Sequence, residues 1–318
     1  MNEGVVPAGA GNAARRAEVL LVEPDIHYVD TRRVEPFGVS GVYVIARDGI
    51  TLVETGTSLS APYLLQAVRD LGAREEDIRR VVVTHIHLDH AGAAGWLVRR
   101  MPWLQVYVHE RGVAHLEDPA RLLESAEMVY GTREAVLALH GEILPVPAEN
   151  LVAVREGEIE AAGGPALRVF DAAGHSSHHL GLFDPASGCL FSGEALGHYY
   201  PEADSLTPAV APPSFDLEAA RATAKRIESF HPRTICYSQF GPHRDPGFVI
   251  RESGRQLEYC RERIEAKLKE GAGAESVIEE ILNEPPPGLA KGENLTWSMV
   301  RSIVIGFEIY LRRRGEIP

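Results

Sequence analysis

Six consecutive residues in the first third of the chain combine three imidazoles with one carboxylate: His85, His87, Asp89 and His90. They directly follow three valines at 81–83, a β-branched run that predicts a buried strand. Alternation along an extended turn would aim His85 and His87 the same way, while Asp89 and His90 face a second position. Imidazole and carboxylate suit Zn²⁺, iron or Mn²⁺. The segment therefore predicts a metal site, because a solvated loop has no reason to gather three histidines so closely.

The elements that must position this cluster alternate between strand and helix. A helix from about 93 to 100 and a strand at 104–109 follow the histidines, which indicates α/β layering. An Asp-Gly pair between the apolar runs 41–46 and 50–54 predicts a β-hairpin.

Later segments fall into three further kinds. Residues 112–141 have mostly helical spacing, and residues 197–214, which contain four prolines, are expected to form a loop. From about residue 245 the pattern predicts helices only, at 248–270, 274–283 and 295–314. In the last of these, Leu295, Met299, Ile303 and Phe307 share one helical face.

The segment Thr-His-Ile-His-Leu-Asp-His-Ala-Gly at 84–92 resembles the signature of the metallo-β-lactamase superfamily. Four other segments resemble that family's further motifs in the expected order, at 51–56, 174–179, 190–196 and 241–243. The resemblance implies an α/β fold, an αββα sandwich of two mixed sheets with helices outside and metals at one edge. It covers a catalytic domain at 18–245. A flexible tail at 1–17 would precede it, and a helical extension at 246–318 would follow, as a lid, a docked stripe or a dimer contact.

Carried over by position, the resemblance implies a complete dinuclear ligand set. One metal would bind His85, His87 and His175, and the other would bind Asp89, His90 and His243. Glu194 stands where the family usually has a bridging aspartate, and its extra methylene leaves open whether it bridges both ions. Asp89 is also a candidate proton acceptor. Tyr199 and Tyr200 follow Glu194 closely, so either hydroxyl could donate to a developing oxyanion, although ordinary packing is the simpler interpretation.

Two divalent ions, Zn²⁺ first and iron or Mn²⁺ otherwise, would lower the pKa of a shared water and supply hydroxide. The expected function is hydrolysis of an ester, thioester, lactone or phosphodiester of a small molecule. Among relatives, an esterase or thioesterase similar to glyoxalase II or to quinolone-response proteins fits best. A di-iron redox protein, suggested by Glu194, and a non-catalytic metal sensor remain open.

Composition and motif details disfavour several other classes. A net charge of −13 disfavours a nucleic-acid partner, and no apolar run is long enough to span a membrane. Three widely spaced cysteines indicate reduced thiols, and no signal peptide is evident, so we expect a cytoplasmic protein that is not an exported β-lactamase. Histidine at 87 and the strand-free C-terminal region exclude a flavodiiron protein. A single-iron persulfide dioxygenase is disfavoured by the second ligand set, which includes His243. A homodimer remains open.

Overall fold

The computed structural model describes residues 17–31, 40–47, 49–160, 165–289 and 295–317. The predicted flexible tail lies outside the described residues, apart from residue 17. The strands in these residues are β1 (Glu18–Glu23), β2 (Ile26–Asp30), β3 (Gly41–Ala46), β4 (Ile50–Val53), β5 (Ile78–Val82), β6 (Gln105–His109), β7 (Leu151–Val154), β8 (Gly157–Ile159), β9 (Leu167–Asp171), β10 (Leu180–Asp184), β11 (Cys189–Gly193), β12 (His198–Tyr200), β13 (Ser205–Thr207), β14 (Thr234–Tyr237) and β15 (Pro242–His243). The helices are α1 (Ala61–Asp70), α2 (Leu88–Ala91), α3 (Ala94–Arg100), α4 (Val113–Glu117), α5 (Ala120–Tyr130), α6 (Arg133–His140), α7 (Leu217–Ser229), α8 (Pro246–Lys269), α9 (Ala274–Asn283) and α10 (Trp297–Arg313).

Two mixed sheets form the centre of the described structure. The first has the order β1-β2-β3-β4-β5-β6-β7, antiparallel as far as β4 and parallel from β4 to β7. The second has the order β15-β14-β11-β10-β9-β8, in which only β11 and β14 run parallel. The predicted hairpin is confirmed, because β3 and β4 pair with Ala46 opposite Ile50.

Apolar side chains from both sheets interdigitate between them. Tyr43 and Val82 of the first sheet and Phe191 and Cys236 of the second belong to one buried cluster. The Tyr43 and Phe191 rings meet edge to face, with their centroids 5.0 Å apart. The sandwich predicted from the sequence is therefore confirmed, with α1 and α3 packed outside the first sheet and α7 outside the second.

The C-terminal helices and the loop that precedes α7 form a separate buried apolar cluster, which we call the C-terminal cluster. Ile303 and Phe307 of α10 are buried there beside Val210 and Phe215. The predicted apolar stripe thus docks within the chain, while its use as a lid or in a dimer remains a prediction. No described helix combines the length and apolar character that crossing a membrane requires.

The segment 197–214 was wrongly predicted to be all loop. The strands β12 and β13 pair there as a short antiparallel ribbon, with His198 opposite Thr207. Its prolines lie outside both strands: Pro201 in the turn between them, and the other three after β13.

A buried ion pair joins the ends of the two sheets. Arg47 follows β3 and donates to both carboxylate oxygens of Asp184, at 2.8 and 2.7 Å, where β10 ends. The Asp184 side chain is fully buried, and that of Arg47 is 11% exposed. A carboxylate in this position needs its partner, because an unpaired buried charge costs several kcal/mol.

We predict that Arg47→Met lowers the free energy of unfolding at pH 7 by about 3–5 kcal/mol, because Asp184 stays buried without its cation. Urea denaturation of both proteins measures the difference. The matched control is Arg69→Met, which removes an exposed pair with Glu75 and should cost less than about 1 kcal/mol.

The same difference should depend on pH. Burial opposes ionisation of Asp184, but Arg47 and Ser187 together lower the pKa of its carboxyl group. The stability that the pair contributes is therefore present above the ordinary aspartate pKa of about 4 and is lost as the pH falls further. An Arg47→Met penalty that stays constant down to pH 3 would contradict this assignment.

Candidate metal centre

The histidine motif lies between the end of β5 and α3, and its apolar residues anchor it. Ile86 packs into the core under the first sheet, and Leu88 packs against Leu123 and Val136 of the α5–α6 pair. The His90 carbonyl accepts hydrogen bonds from both the backbone N–H and the hydroxyl of Thr55. The alternation of histidine with aliphatic residues therefore fixes the motif to the core and leaves its polar groups at the edge of the sandwich.

Four potential metal-ligand atoms, from three histidines and one glutamate, converge at one point, which we call the first position. His87 Nδ1 lies 2.8 Å from His85 Nε2 and 3.1 Å from His175 Nε2, and Glu194 Oε2 lies 2.8 Å from His175 Nε2 and 3.5 Å from His85 Nε2. All four atoms lie within 4.8 Å of one another. Ligands of a tetrahedral Zn²⁺ ion are spaced roughly 3.3 Å apart, given bond lengths of about 2.0–2.2 Å. Three imidazoles and one carboxylate at these spacings fit a divalent cation.

Hydrogen bonds on the far side of two rings fix their orientation. His175 Nδ1 donates to the carbonyl of Ala209 at 2.9 Å, and His85 Nδ1 lies 3.0 Å from the Thr84 hydroxyl oxygen, which itself donates to Glu54. With Nδ1 protonated in both rings, each Nε2 presents its lone pair to the first position. Such outer contacts are typical of metal-binding histidines.

Burial keeps the first two histidines neutral. It lowers the pKa of His85 well below its ordinary value, and burial together with the neighbouring His175 lowers the pKa of His87 to about 4. Burial works against the ionised form of Glu194 as well, but His175 and His198 hold its pKa well below the usual range. His85 and His87 are thus neutral and Glu194 is ionised, which are the forms that bind cations. Burial lowers the pKa of His175, but the Glu194 carboxylate outweighs burial and raises it, so metal binding would compete with a proton on His175.

A second group of donors lies beside the first. Asp89, His90 and Glu194 also bring donor atoms within 4.8 Å of one another, with His90 Nε2 3.4 Å from Asp89 Oδ2 and 3.6 Å from Glu194 Oε1. The two Glu194 oxygens therefore face different positions. The longer glutamate reaches this place from a tight turn, because Gly193 has φ 52° and an added Cβ would lie 2.6 Å from the Thr84 hydroxyl.

Gln239, which was not predicted as a site residue, lies against this second group. Its side-chain amide nitrogen lies 3.2 Å from His90 Nε2 and 3.0 Å from Glu194 Oε1, and its amide oxygen is buried without a hydrogen-bond partner. Its position just after a strand could have indicated that it lies near the centre. Ligand segments of the centre follow the ends of β5, β9 and β11, and Gln239 follows the end of β14.

The predicted ligand His243 is not part of either group. The chain reverses at Phe240 and Gly241, both at positive φ, and returns as β15, which places His243 beside Ile235. Its ring contacts Tyr199 at a centroid distance of 4.4 Å, and its Nδ1 accepts from the Asp245 N–H. His243 therefore lies outside the potential ligand groups of the described residues, and its role as a ligand of a second metal stays a prediction, as does the exclusion of a single-iron enzyme.

The two tyrosines have other partners as well. The Tyr199 hydroxyl donates to Asp204 at 2.7 Å, and burial with that hydrogen bond raises its pKa to about 12. The Tyr200 hydroxyl is directed to the sulfur of Met299 at 3.7 Å, and its ring packs against Phe240. Neither hydroxyl has a hydrogen bond to the metal-ligand candidates among the contacts of the described residues. The packing interpretation describes both better than the oxyanion role.

Three further residues, Glu54, His179 and His198, support the centre through hydrogen bonds. Glu54, at φ 76°, accepts hydrogen bonds from the N–H and hydroxyl of Thr84, from the Ser238 hydroxyl at 2.8 Å and from His90 Nδ1 at 3.0 Å. Its oxygens are therefore engaged in orienting the centre, although they also lie near His85 and His90. His179 Nε2 accepts from the Glu194 N–H at 3.2 Å, and His198 Nε2 lies 2.6 Å from Glu194 Oε1.

The C-terminal helices contact the loop that orients His175. Gly306 of α10 lies against Val210, where an added Cβ would come within 2.3 Å of Cγ1, and the neighbouring Ala209 carbonyl accepts from His175. From α8, Ser253 and Leu257 line a small cavity together with His175 and Glu194. The extension is therefore physically coupled to a metal-ligand candidate.

We predict that Gly306→Ala displaces Val210 and with it the Ala209 carbonyl. Its metal affinity should fall about tenfold or more, and overpacking should lower the free energy of unfolding by about 1–3 kcal/mol. Competition titration with a chromophoric zinc chelator and urea denaturation give the two values. The matched control is Gly254→Ala in α8, where no atom lies within 4 Å of the added Cβ, so metal affinity should be unchanged. Equal zinc affinities in the two variants would rule out the coupling.

Comparison with known proteins agrees with this architecture. The model of the metallo-β-lactamase superfamily matches residues 34–239. A metallo-β-lactamase family protein from Thermus thermophilus superposes with a TM-score of 0.68 at 21% identity, covering 92% of this chain and 95% of its own. A β-lactamase domain protein from Burkholderia ambifaria gives 0.64 at 18% identity, over 94% and 88%. An archaeal superfamily protein from Sulfolobus tokodaii gives 0.61 at 18%, over 87% and 93%. The chain belongs to the metallo-β-lactamase superfamily.

Proposed function

We propose that this protein is a metal-dependent hydrolase that cleaves an ester, thioester, lactone or phosphodiester bond of a small molecule. The observation that carries the proposal is the convergence of His85, His87, His175 and Glu194 at one position. A divalent ion held there would lower the pKa of a bound water toward neutrality and polarise a carbonyl or phosphoryl oxygen. The superfamily consists mostly of metal-dependent hydrolases, which agrees with this assignment.

Water is the proposed nucleophile. The three cysteines are buried within the sandwich or the C-terminal cluster, so none of these thiols is placed to attack a substrate at the centre. Asp89 is the candidate proton acceptor. Its side chain is 29% exposed at the edge of the centre, whereas Glu194 is almost fully buried. A partly solvated carboxylate at the edge of the centre would be able to accept the proton of an attacking water and pass it to solvent.

The charge of the protein favours uncharged or weakly charged substrates. A net charge of −13 would repel polyanions over distances of about a Debye length, roughly 8 Å at physiological ionic strength. Esters, thioesters and lactones are therefore the first substrates to test, and a phosphodiester is the last.

We predict that His87→Ala reduces hydrolysis to background on whichever panel member the protein cleaves. The imidazole supplies one of four donors at the first position, and its loss removes the ion that activates the water. The measurement is the initial rate on aryl esters, acyl thioesters, lactones and bis(p-nitrophenyl) phosphate, after reloading with Zn²⁺, Mn²⁺ or Fe²⁺. The matched control is His115→Ala in α4, a histidine that belongs to none of the potential ligand groups of the described residues, which should retain the full rate.

We expect that removal of the metal with a chelator also lowers the hydrolysis rate. Dialysis against a chelator should abolish the rate of the unmodified protein, and added metal should restore it. Wild-type rates from folded His87→Ala protein whose metal content has been measured would refute the hydrolytic role of the centre.

A further inference from the structure

The two positions of the centre differ in how completely the chain builds them. The first has three imidazoles and a carboxylate, and two of its rings are oriented by Ala209 and Thr84. The second has one imidazole, from His90, with the carboxylates of Asp89 and Glu194. A carboxamide, from Gln239, stands at the remaining side.

A carboxamide is a poor substitute for imidazole at such a place. Its nitrogen has no available lone pair, and its oxygen is a neutral ligand better suited to harder ions than to Zn²⁺. In the observed arrangement the Gln239 nitrogen, not the oxygen, faces His90 and Glu194. The amide therefore presents hydrogen atoms to the space where a second cation would need a donor atom.

The carboxylate oxygen that faces the second position is also engaged by protein groups. Glu194 Oε1 lies 2.6 Å from His198 Nε2 and 3.0 Å from the Gln239 amide nitrogen. Its other oxygen, Oε2, faces His175 and His85 at the first position. To bridge two ions, Glu194 would have to exchange two hydrogen bonds in a buried site for a single metal bond, and Gln239 would have to turn away.

We propose that this protein binds one divalent ion tightly, at the first position only, and that Gln239 excludes a second ion by holding Glu194 as a ligand of a single metal. His198 acts with it as a positioning residue on the same oxygen. The proposal concerns how many ions the protein holds and does not depend on which bond it hydrolyses.

The test is the metal content of the full-length protein. Chelator-treated protein is reloaded with excess Zn²⁺, desalted and measured by elemental analysis, with isothermal titration as a second readout. The unmodified chain should retain one equivalent. Gln239→His, which adds an imidazole, and Gln239→Glu, which keeps the size of the side chain and adds a charged oxygen, should each retain two. If the bulkier side chain of Gln239→His prevents folding, Gln239→Glu alone provides the test of a second metal ion.

The matched control is His243→Ala, which should still retain one equivalent. Two equivalents in the unmodified protein would overturn the proposal, and a fall from two to one in His243→Ala would identify His243 as the ligand instead. A single equivalent whichever residue stands at 239 would overturn the role of Gln239. Because stoichiometry is measured without a substrate, an inactive protein that binds one ion would refute only the proposed hydrolysis.

Discussion

The buried carboxylate of Glu194 is the constraint around which the rest of the centre is arranged. An ionised group with so little access to water is stable only if hydrogen bonds and opposite charges surround it. The chain supplies His175 on one oxygen, His198 and Gln239 on the other, and the ring of His179 against its backbone N–H. A cation at the first position would add further positive charge beside this carboxylate.

The two sheets together bring this carboxylate to the histidine motif, because each sheet carries one of the two. Glu194 follows the end of β11 in one sheet, and His85 follows the end of β5 in the other. The distance between them is set by the apolar layer of Tyr43, Val82 and Phe191 and by the Arg47–Asp184 pair at the far end. Packing between the sheets therefore helps to determine the geometry of the candidate metal site.

The sequence was sufficient for the features that are local or periodic. The β3–β4 hairpin, the valine strand before the histidines and the three C-terminal helices all carry their own patterns. The histidine motif predicted two residues of each position, His85 and His87 for the first and Asp89 and His90 for the second, because they are adjacent along the chain. The role of Gln239 beside the second position could not be predicted in the same way, since it depends on where β14 stops and the chain reverses. A Gly-Pro-His segment resembles a ligand motif, but β15 pairs with β14 and places His243 opposite Ile235, outside the donor groups of the described residues.

The tyrosines show a related limit. Their position five and six residues after Glu194 suggested proximity, but pairing of β12 with β13 turns the Tyr199 hydroxyl toward Asp204. Direction within a short ribbon depends on pairing partners, which spacing alone does not specify. By contrast, the place of Gln239 could be predicted from the sequence. The candidate ligand segments follow the ends of strands, and Gln239 follows the end of the predicted strand at 234–238.

The hydrogen bond between His175 and the Ala209 carbonyl has a consequence for how such a protein can diverge. The C-terminal helical extension packs on the loop that supplies that carbonyl, so the orientation of the His175 ring depends on the extension. Exchange of these helices between related chains would therefore change the orientation of His175 together with the surface that the helices present, and the two properties would be inherited together.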